Sequence, residues 1–410
     1  MPIPVLIEAG EGCRVRDIDG NTYIDTMFGY GALILGHRHP SIEAALHAQL
    51  GLGWQFGIHD AMQEDLARLI VEALPAAERV MLCNSGTEST MYAIRAARAY
   101  TGKQRIAVFD GAYHGAHDTA LIRYDPASPR TAPASLPFGD GIPTSIVGDV
   151  LILPFAREAA FDLIRAHRDE LAVVLVEPSQ SSNPRVDDEQ TAFLQQVQAV
   201  CRESGVLFLL DEVITGFRLG YSGGQGRLGL EPDLTTLGKI IGGGVPVGAV
   251  AGRGEIMDVF LGLGRPGRPG IFSGGSFSGN SLTLAAGIAQ LSELREHGDV
   301  IYPHIEDQTR RLADAFNSNA RRLDVPAQML RAGSSFRVIF QAGEIRSARD
   351  VHPTTHPAEV DLYVHLLDRG VLIPGNRRGV LSAAHTSDDV DIMIAAMTES
   401  LETCVSDGVL

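Results

Sequence analysis

The sequence lacks the marks of several classes of protein. None of its hydrophobic runs approaches the roughly 18 residues of a membrane span. Residues 1–12 have neither the basic region nor the long apolar core of a signal peptide. The four cysteines, Cys13, Cys83, Cys201 and Cys404, are scattered and form no CxxC pair, which fits free thiols in a reducing compartment. We therefore expect a cytoplasmic protein without a membrane segment.

Positive charge is also scarce. The chain has 34 Lys and Arg residues against 50 Asp and Glu, a net charge of −16, and this argues against nucleic acid or an anionic membrane as a partner. The AVILMFWYC set makes up 45% and charged residues 20%, as in ordinary globular proteins. With 410 residues and no internal repeat, the chain is long enough for one large and one smaller domain.

One stretch, residues 207–239, has the pattern of a ligand-binding strand end. An apolar run over residues 206–210 leads directly into Asp211 and Glu212. Such a run is typical of a strand that is buried on both faces of a parallel sheet. Ligands of such sheets bind beyond the carboxyl ends of the strands, and a carboxylate there needs a cation or strong donors.

Lys239 follows in the same stretch, among apolar residues and glycines. Desolvation lowers the pKa of an amine in such surroundings, so Lys239 is a candidate Schiff-base lysine. An Asp for a pyridinium nitrogen and a Lys for an imine are the pair that pyridoxal phosphate requires. The simpler alternative is that Asp211 caps a helix and Lys239 lies on the surface.

A second pattern predicts a phosphate site. A short apolar strand, residues 80–83, runs through Ser85, Gly86 and Thr87 into a helix with apolar residues at helical spacing. Free N–H groups and the positive end of a helix dipole favour an anion at that position, and a glycine lets the backbone approach closely. Ser85 and Glu88 also match a capping box, which is compatible with phosphate binding.

Two loops carry further candidates. Tyr30 lies in the glycine-rich segment 27–40, together with His37 and His39, and this segment is expected to be either local structure or a loop that lines a site. Tyr113 and His114 follow the strand 105–109, where an aromatic ring can stack on a flat ligand or can anchor the loop. We expect no metal at His37-x-His39 or at His114-x-x-His117, because we identify no set of acidic or thiol partners for either pair.

Periodicity predicts the other main elements. Residues 125–150, rich in Pro, Gly and Ser, are expected to be irregular, as lids and gates often are. The Gly224–Gly229 stretch matches GxGxxG but follows no strand directly, so we interpret it as a glycine-rich surface turn rather than a dinucleotide site. The predicted regular elements include a hairpin over 15–24, a helix from Ser41 to about Leu50, a helix from about Asp60, and separate helices over 281–295 and 305–317.

Together these residues resemble the class III (fold-type I) pyridoxal-phosphate enzymes, in particular glutamate-1-semialdehyde 2,1-aminomutases and related aminotransferases. The similar segments cover nearly the whole chain: DGNTYID, LGHRHP, NSGTEST, FDGAYHG, VEP, LLDEVITGFR, PDLTTLGKIIGGGVPVGA, SGN and SAAHT. The resemblance implies an α/β fold, with a mostly parallel seven-stranded sheet between helices. It also implies a large cofactor domain (41–290) and a small α/β domain from both chain ends (1–40 and 291–410).

The resemblance also implies roles for single residues. Lys239 would form the internal aldimine with pyridoxal 5'-phosphate, Asp211 would hold the ring nitrogen, and Glu177 would lie near both Asp211 and the ring hydroxyl. The other implied contacts are Val213 and Tyr113 on the ring with His114 beside it, Ser85, Gly86 and Thr87 on the phosphate, and Gly275 and Ser276 on the phosphate of a neighbouring subunit in a homodimer.

The sequence departs from the aminomutase pattern at two places. Aminomutases have a Ser-Pro-Val-Arg segment near the N-terminus that helps to hold the substrate carboxylate, and residues 2–5 (PIPV) are no substitute for it. Near SAAHT, where the family often has an acidic residue, this chain has Arg377 and Arg378. An arginine that faces the site binds a carboxylate in a bidentate manner, whereas the alternative is two solvated arginines.

These departures favour a transaminase over an aminomutase. We expect Tyr30 and either Arg377 or Arg378 to contact the substrate, an amino-acid donor, with a β-amino acid as one candidate. The acceptor would be a keto acid or an aldehyde. The alternative activity is that of a glutamate-1-semialdehyde 2,1-aminomutase, an isomerase that makes 5-aminolevulinate.

Overall fold

The computed structural model describes residues 4–261, 270–352, 356–373 and 378–410. Its strands are β1 (Ile7–Glu11), β2 (Arg14–Asp17), β3 (Thr22–Asp25), β4 (Arg79–Cys83), β5 (Arg105–Phe109), β6 (Ile122–Tyr124), β7 (Ser135–Pro137), β8 (Val150–Leu153), β9 (Leu171–Val176), β10 (Leu207–Asp211), β11 (Leu234–Gly238), β12 (Gly248–Gly252), β13 (Gln328–Ala332), β14 (Ser335–Ile339), β15 (Val371–Leu372) and β16 (Arg378–Val380).

Helices make up most of the remaining regular structure. They are α1 (Phe28–Gly31), α2 (Pro40–Leu50), α3 (Met62–Ala73), α4 (Gly86–Thr101), α5 (Ala159–Ala166), α6 (Asp188–Ser204), α7 (Gly223–Leu228), α8 (Gly254–Met257), α9 (Ser281–Arg322), α10 (Ala358–Asp368) and α11 (Ser387–Ser406). None of the helices within the described ranges is long and apolar enough to cross a membrane.

The central sheet has seven strands in the order β4-β12-β11-β10-β9-β5-β8. β12 runs antiparallel to β11 and β4, and the pairs among the other strands are parallel. β9, β10 and β11 are buried at every residue, as expected for strands covered on both faces. The predicted α/β fold with a mostly parallel seven-stranded sheet is confirmed.

Two smaller sheets come from the ends of the chain. β1, β2, β3 and β15 form one, and β13, β14 and β16 form the other. The hairpin predicted over 15–24 is present, with Val15 opposite Tyr23. The division into domains 41–290 and 1–40 plus 291–410 stays a prediction, and its boundary at residue 290 falls inside α9.

The predicted break between residues 295 and 305 is wrong, because α9 runs without interruption from Ser281 to Arg322 and contains Pro303. A proline inside a helix costs roughly 3 kcal/mol. Leu291 and Leu294 before it, and Ile305 and Leu312 after it, are buried in one hydrophobic cluster. Burial on both sides of Pro303 therefore outweighs the local penalty.

The surface turn predicted for Gly224–Gly229 is also wrong. These residues form most of α7, whose Gly223, Gly224 and Gln225 are buried. The carboxylate of Glu212 accepts the N–H of Gly224 at 2.6 Å and that of Gln225 at 2.9 Å. Glu212 thus satisfies the free N–H donors at the start of the helix. The two donors lie 12 and 13 residues further along the chain than Glu212.

Three other local predictions need correction. Ser41 does not cap α2, since Pro40 occupies the first turn and His39 precedes it without a side-chain cap. Residues 125–150 are not wholly irregular, because they contain β7 and a 3₁₀ helix over Thr144–Asp149. His37 does have a carboxylate partner: its Nε2 lies 2.8 Å from Oδ2 of Asp25, at the end of β3.

Candidate active site

Asp211, at the carboxyl end of β10, is held by three donors. Oδ2 lies 2.8 Å from Nδ1 of His114, while Oδ1 accepts the Thr236 hydroxyl at 3.0 Å and the Val213 N–H at 3.1 Å. Asp211 is only 5% exposed, so these bonds replace the water that would otherwise solvate an ionised carboxylate. The buried side chain is therefore fixed in one orientation and is suited to hold a cationic ring nitrogen.

Lys239 is the first residue after β11 and has a positive φ of 49°. Its side chain lines two cavities, and among the described residues its amine has no hydrogen-bond or ion-pair partner. Burial lowers the pKa of Lys239, while the charge of Asp211 opposes the shift and that of Arg218 adds to it. A larger fraction of the amine is consequently uncharged at neutral pH and able to act as a nucleophile or base.

The first of these cavities has a volume of about 390 Å³ and extends from Lys239 to the start of α4; we call it the Ser85 cavity. Ser85 Oγ accepts the N–H of Glu88 at 3.1 Å, and Thr87 Oγ1 accepts that of Ala116 at 3.2 Å. The N–H groups of Gly86 and Thr87, in the first turn of α4, have no acceptor within the described chain. This end of the cavity is suited to a phosphate.

The capping box predicted at the same place is present only in part. The Glu88 carboxylate accepts the N–H of Asn84 at 2.7 Å rather than that of Ser85. Helix capping and an anion site therefore coexist at the start of α4, as the sequence allowed.

Glu177 follows β9 and is 3% exposed. One of its carboxylate oxygens accepts the N–H of Tyr113 at 3.1 Å and the other accepts that of Ser181 at 3.0 Å. Burial raises the pKa of Glu177, and the positive charge of His114 opposes this rise. Glu177 thus connects two loops on the wall of the Ser85 cavity.

The second cavity has a volume of about 530 Å³, and we call it the Arg378 cavity. Tyr30, with a φ of 57°, Tyr113 and Arg378 line it together with Lys239. Burial lowers the pKa of the Arg378 guanidinium, while the charge of Glu177 raises it. Arg377, the other predicted substrate residue, lies outside the described residues.

The structure places the remaining predicted residues as follows. Val213 and Tyr113 both line the Ser85 cavity. Gly275 and Ser276 line neither cavity, although Gly275 lies so close to Asn84 that a Cβ on it would be 2.6 Å from Nδ2 of Asn84. Their expected contact is with a neighbouring subunit and stays a prediction.

Sequence reasoning missed two residues of the site. Thr236 binds Asp211 because the parallel pairing of β10 and β11 sets these two residues side by side, and the two adjacent threonines of β11, Thr235 and Thr236, were the available signal. Arg218 lines the Arg378 cavity with its guanidinium buried. The scarcity of lysine was a further signal, since Lys103 and Lys239 are the two lysines of the sequence.

These residues fit pyridoxal phosphate. The Ser85 cavity combines an unpartnered amine, a buried carboxylate held by three donors, and free N–H groups at a helix start. The backbone at Gly86 also packs too closely against Val213 to admit a larger side chain, because a Cβ on Gly86 would lie 2.6 Å from Cγ1 of Val213. An amine, an acid and an anion site around one cavity are the protein groups that this cofactor needs.

Comparisons with known proteins agree with this geometry. The family model described as "Aminotransferase class-III" matches residues 1–397. The chain is 39% identical to the glutamate-1-semialdehyde 2,1-aminomutase 2 of Exiguobacterium sp. (strain ATCC BAA-1283 / AT1b) over 401 residues, which are 96% of this chain and 89% of that protein.

Solved transaminases have a similar structure. An omega-transaminase from Sphaerobacter thermophilus gives a TM-score of 0.90 at 34% identity, covering 98% of this chain and 91% of that one. A β-phenylalanine aminotransferase from Variovorax paradoxus gives a TM-score of 0.86 at 32% identity, covering 99% and 89%. The sequence relative is thus named for an aminomutase reaction, whereas these two structural neighbours are named for transamination.

Proposed function

Because the chain belongs to the class-III aminotransferase family, we propose that it is a transaminase, which moves an amino group from an amino-acid donor to a keto-acid or aldehyde acceptor. The protein is an enzyme, and the cofactor of its family is pyridoxal phosphate. One observation carries the proposal: the unpartnered amine of Lys239 opens both on the Ser85 cavity and on the arginine-lined Arg378 cavity.

Each residue group would contact one part of the cofactor. Ser85, Gly86 and Thr87 would hold the phosphate, Val213 and Tyr113 would contact the ring, and Asp211 would hold the proton of the ring nitrogen. His114 would orient Asp211, and Glu177 would fix the Tyr113 loop. When bound, pyridoxal phosphate supplies a carbonyl that bonds covalently to amines and a ring that withdraws electrons.

Lys239 has two tasks in this proposal. It would anchor the cofactor covalently, and its amine, when free, would take the proton from the carbon that bears the substrate's amino group. The lowered pKa of Lys239 supports the second task, because an ammonium group cannot accept a proton. Asp211 would support the same step by stabilising a positive charge on the ring nitrogen.

Arg378 supplies the substrate contact. The Arg378 guanidinium lines the cavity that Lys239 faces, and a guanidinium there can bind a carboxylate. We therefore propose an amino acid as the donor, with a β-amino acid as the first candidate, since one structural neighbour is a β-phenylalanine aminotransferase. Tyr30 lines the same cavity and would contact the same substrate.

A panel of amino donors tests the reaction and the role of the arginines. Purified enzyme is mixed with α-amino acids, β-amino acids and simple amines, and loss of the yellow cofactor band reports each transfer. Arg377→Ala and Arg378→Ala are compared with Arg346→Ala, whose guanidinium is paired with Glu344 and Glu189. An unchanged KM for amino-acid donors in both Arg377→Ala and Arg378→Ala would overturn the carboxylate assignment.

A second candidate function has its own support. The sequence relative from Exiguobacterium is named an aminomutase, so glutamate-1-semialdehyde 2,1-aminomutase activity is the alternative. The two are separated by giving the enzyme glutamate-1-semialdehyde alone. Formation of 5-aminolevulinate without a second substrate would support the aminomutase, whereas transfer of an amino group to an added keto acid supports the transaminase.

We also propose a homodimer with shared active sites. The apolar side chains of Trp54, Phe56 and Ile58 are exposed, and so is that of Phe277. Gln55 donates a hydrogen bond to the carbonyl of Ser276, so the segment that carries the first three side chains contacts the segment that carries Phe277. Several exposed apolar side chains on neighbouring segments favour association. Sedimentation of the wild type and of Ile58→Asp tests it: the wild type should sediment as a dimer and Ile58→Asp mainly as a monomer, whereas a monomeric wild type would contradict the proposal.

The four cysteines support the cytoplasm as the proposed location. Cys13, Cys83, Cys201 and Cys404 are all buried as free thiols, which suits a reducing compartment. Localisation of a fluorescent fusion in the source cells, with a cytoplasmic marker, tests this assignment.

A further inference from the structure

Arg218 is a buried cation that none of the described acidic side chains neutralises. It lies in the turn after β10 and is 3% exposed. Its Nε donates to the Ile214 carbonyl at 2.9 Å, Nη1 donates to the Ser334 hydroxyl at 2.8 Å, and Nη2 donates to the Gly31 carbonyl. All three acceptors are neutral, and no carboxylate oxygen within the described residues lies at ion-pairing distance from this guanidinium.

The charge of Arg218 persists at neutral pH. Burial lowers the pKa of Arg218 only to about 10, so the guanidinium stays protonated. An unpaired buried charge is costly, and proteins usually neutralise one or use it to bind an ion of opposite sign. A guanidinium has about five N–H donors, and the three bonds to Ile214, Ser334 and Gly31 leave one free donor on each Nη nitrogen.

The surrounding backbone is adapted to this arginine. Gly31 has a φ of +85°, and a Cβ on it would lie 2.8 Å from Nη2 of Arg218. A side chain at position 31 would therefore push the guanidinium away from the carbonyl that it binds. Ser334, on the opposite side, is buried at 2% exposure and fixes the other end of the guanidinium.

Arg218 faces the Arg378 cavity. It lines the Arg378 cavity together with Lys239, and its positive charge acts on the Lys239 amine. The other cation of that cavity, Arg378, has the carboxylate of Glu177 among the charges that act on it. Among the described residues, the cavity therefore has two guanidinium groups, Arg218 and Arg378, and Arg218 has no carboxylate at ion-pairing distance.

We propose that Arg218 is a second carboxylate-binding subsite of the Arg378 cavity, so that the enzyme prefers a substrate with two carboxylates to one with a single carboxylate. One carboxylate contacts Arg378, and the other accepts the free Nη donors of Arg218. This inference rests on the proposed transaminase function and narrows its substrate class to amino or keto dicarboxylic acids.

Calorimetric titration of the holoenzyme with glutarate and with butyrate tests the subsite, since these acids differ by one carboxylate and do not react. We expect the wild type to bind glutarate at least about tenfold more tightly than butyrate, the range for a charged hydrogen-bonded contact. In Arg218→Gln, the affinity for glutarate should fall to that for butyrate, while the affinity for butyrate changes less than about twofold.

Three further variants complete the test. Arg227→Gln is the matched control, because Arg227 lines a neighbouring cavity together with Arg218 and is already paired with Glu306. Ser334→Ala keeps the charge of Arg218 but removes one bond that orients it, so the affinity for glutarate should fall only a few-fold. Arg218→Lys should restore part of the preference for glutarate, since it keeps the charge without the fork geometry.

Two outcomes overturn the subsite. Unchanged binding of glutarate in Arg218→Gln is the first. The second is an equal fall in the affinities for glutarate and butyrate together with a lower melting temperature, which would show that Arg218 is purely structural. If Arg218→Gln does not fold, an unchanged affinity for glutarate in Ser334→Ala overturns the subsite instead. Failure of the subsite is separable from failure of the transaminase proposal, because binding of glutarate is measured without any amino transfer.

Discussion

His114 and Asp211 form a buried pair in which Nδ1 of His114 lies 2.8 Å from Oδ2 of Asp211, with 2% and 5% of the two side chains exposed. His114 comes from the loop after β5 and Asp211 from the end of β10, so the pair connects two strands of the central sheet. The second ring nitrogen of His114 is buried without a hydrogen-bond partner in the described structure. The contact with Asp211 is thus the polar interaction that positions this ring.

Substitution of His114 should therefore impair Asp211 without removing it. His114→Gln removes one of three donors to the carboxylate, and a hydrogen bond to a charged group contributes about 1.5–3 kcal/mol. We expect kcat to fall between about tenfold and a hundredfold, and Asp211→Asn to lower it further because the charge itself is lost. Turnover with the best amino donor, at saturating cofactor, measures both effects.

His117→Gln is the control for this prediction. His117 is three residues away and contacts the Thr90 hydroxyl at 3.3 Å, but it does not line the Ser85 cavity. Its substitution should leave kcat within about twofold, as is usual away from the reacting groups. Equal losses in His114→Gln and His117→Gln would contradict a specific role of His114 in positioning Asp211.

The two lysines of the chain make the covalent attachment directly testable. Lys239 opens on both cavities, whereas Lys103 donates to the carbonyls of Arg168 at 2.6 Å and Gly205 at 3.2 Å. Borohydride reduction of the holoenzyme, followed by peptide mass spectrometry, should place the added cofactor mass on the peptide that contains Lys239. The same mass on the Lys103 peptide, or on neither, would contradict the proposed anchor.

Activity should divide in the same way between the two lysines. Lys239→Ala removes both the anchor and the base, so kcat should fall by at least about a thousandfold, near the upper end of what one general base contributes. Lys103→Arg keeps the charge at a position that lines neither cavity and should retain wild-type turnover. Full activity in Lys239→Ala would show that another group performs the proton transfer.

The sequence was sufficient where the signal was local. Asp211 follows an apolar strand directly, and Ser85, Gly86 and Thr87 lie at a strand-to-helix junction, so adjacent residues alone identified the two ends of the Ser85 cavity. Thr236 and Arg218 were missed because their roles depend on contacts between distant segments. Thr236 is set by the register of β10 and β11, and Arg218 is held by Gly31 and Ser334, 187 and 116 residues away.

The errors in the predicted elements have the same origin. α9 continues through Pro303 because core residues on both sides of the proline are buried, which the local sequence does not reveal. α7 forms from the glycine-rich 223–228 stretch because the Glu212 carboxylate binds its first N–H groups. In both places, tertiary contacts override the local preference of proline or glycine.

Gly86 should not tolerate a methyl group. A Cβ at this position would lie 2.6 Å from Cγ1 of Val213, a residue expected to contact the cofactor ring. Gly86→Ala should therefore destabilise the protein by about 1–3 kcal/mol, the usual effect of overpacking, and should weaken cofactor binding. Urea unfolding and titration of the apoenzyme with pyridoxal phosphate measure the two effects.

Gly139→Ala is the matched control for Gly86→Ala. A Cβ on Gly139 would meet no other atom within 4 Å, and the backbone there is not left-handed, so the substitution should change stability by less than about 0.5 kcal/mol. Unchanged cofactor affinity in Gly86→Ala would show that Val213 moves aside freely, and that the Gly86 backbone does not define the phosphate end of the cavity.

Asp110 gives the protein a specific dependence of stability on pH. It is 3% exposed at the end of β5, accepts the N–H of Phe155 at 2.8 Å, and lies 4.0 Å from Nε of Arg349. Burial raises the pKa of Asp110 to about 6; the N–H of Phe155 and the charges of Arg349 and Arg157 oppose the rise, and that of Asp350 adds to it. Because the pKa of Asp110 is higher in the folded than in the unfolded state, the folded state binds more protons at pH values between the two. The contribution of Asp110 to the free energy of unfolding therefore falls as the pH rises through this range.

Asp110→Asn should remove that dependence, because an amide does not titrate but can still accept the N–H of Phe155. Between pH 5.0 and 7.5, the free energy of unfolding of the wild type should fall by about 1–2 kcal/mol more than that of Asp110→Asn. Urea unfolding of both proteins at the two pH values measures the difference, and the comparison cancels the titration of all other groups. The difference in unfolding free energy between the two proteins would contradict this prediction if it were constant with pH, or if it shifted in favour of the wild type as pH rises. Either result would show that Asp110 is already ionised throughout this range and that Arg349 compensates its burial.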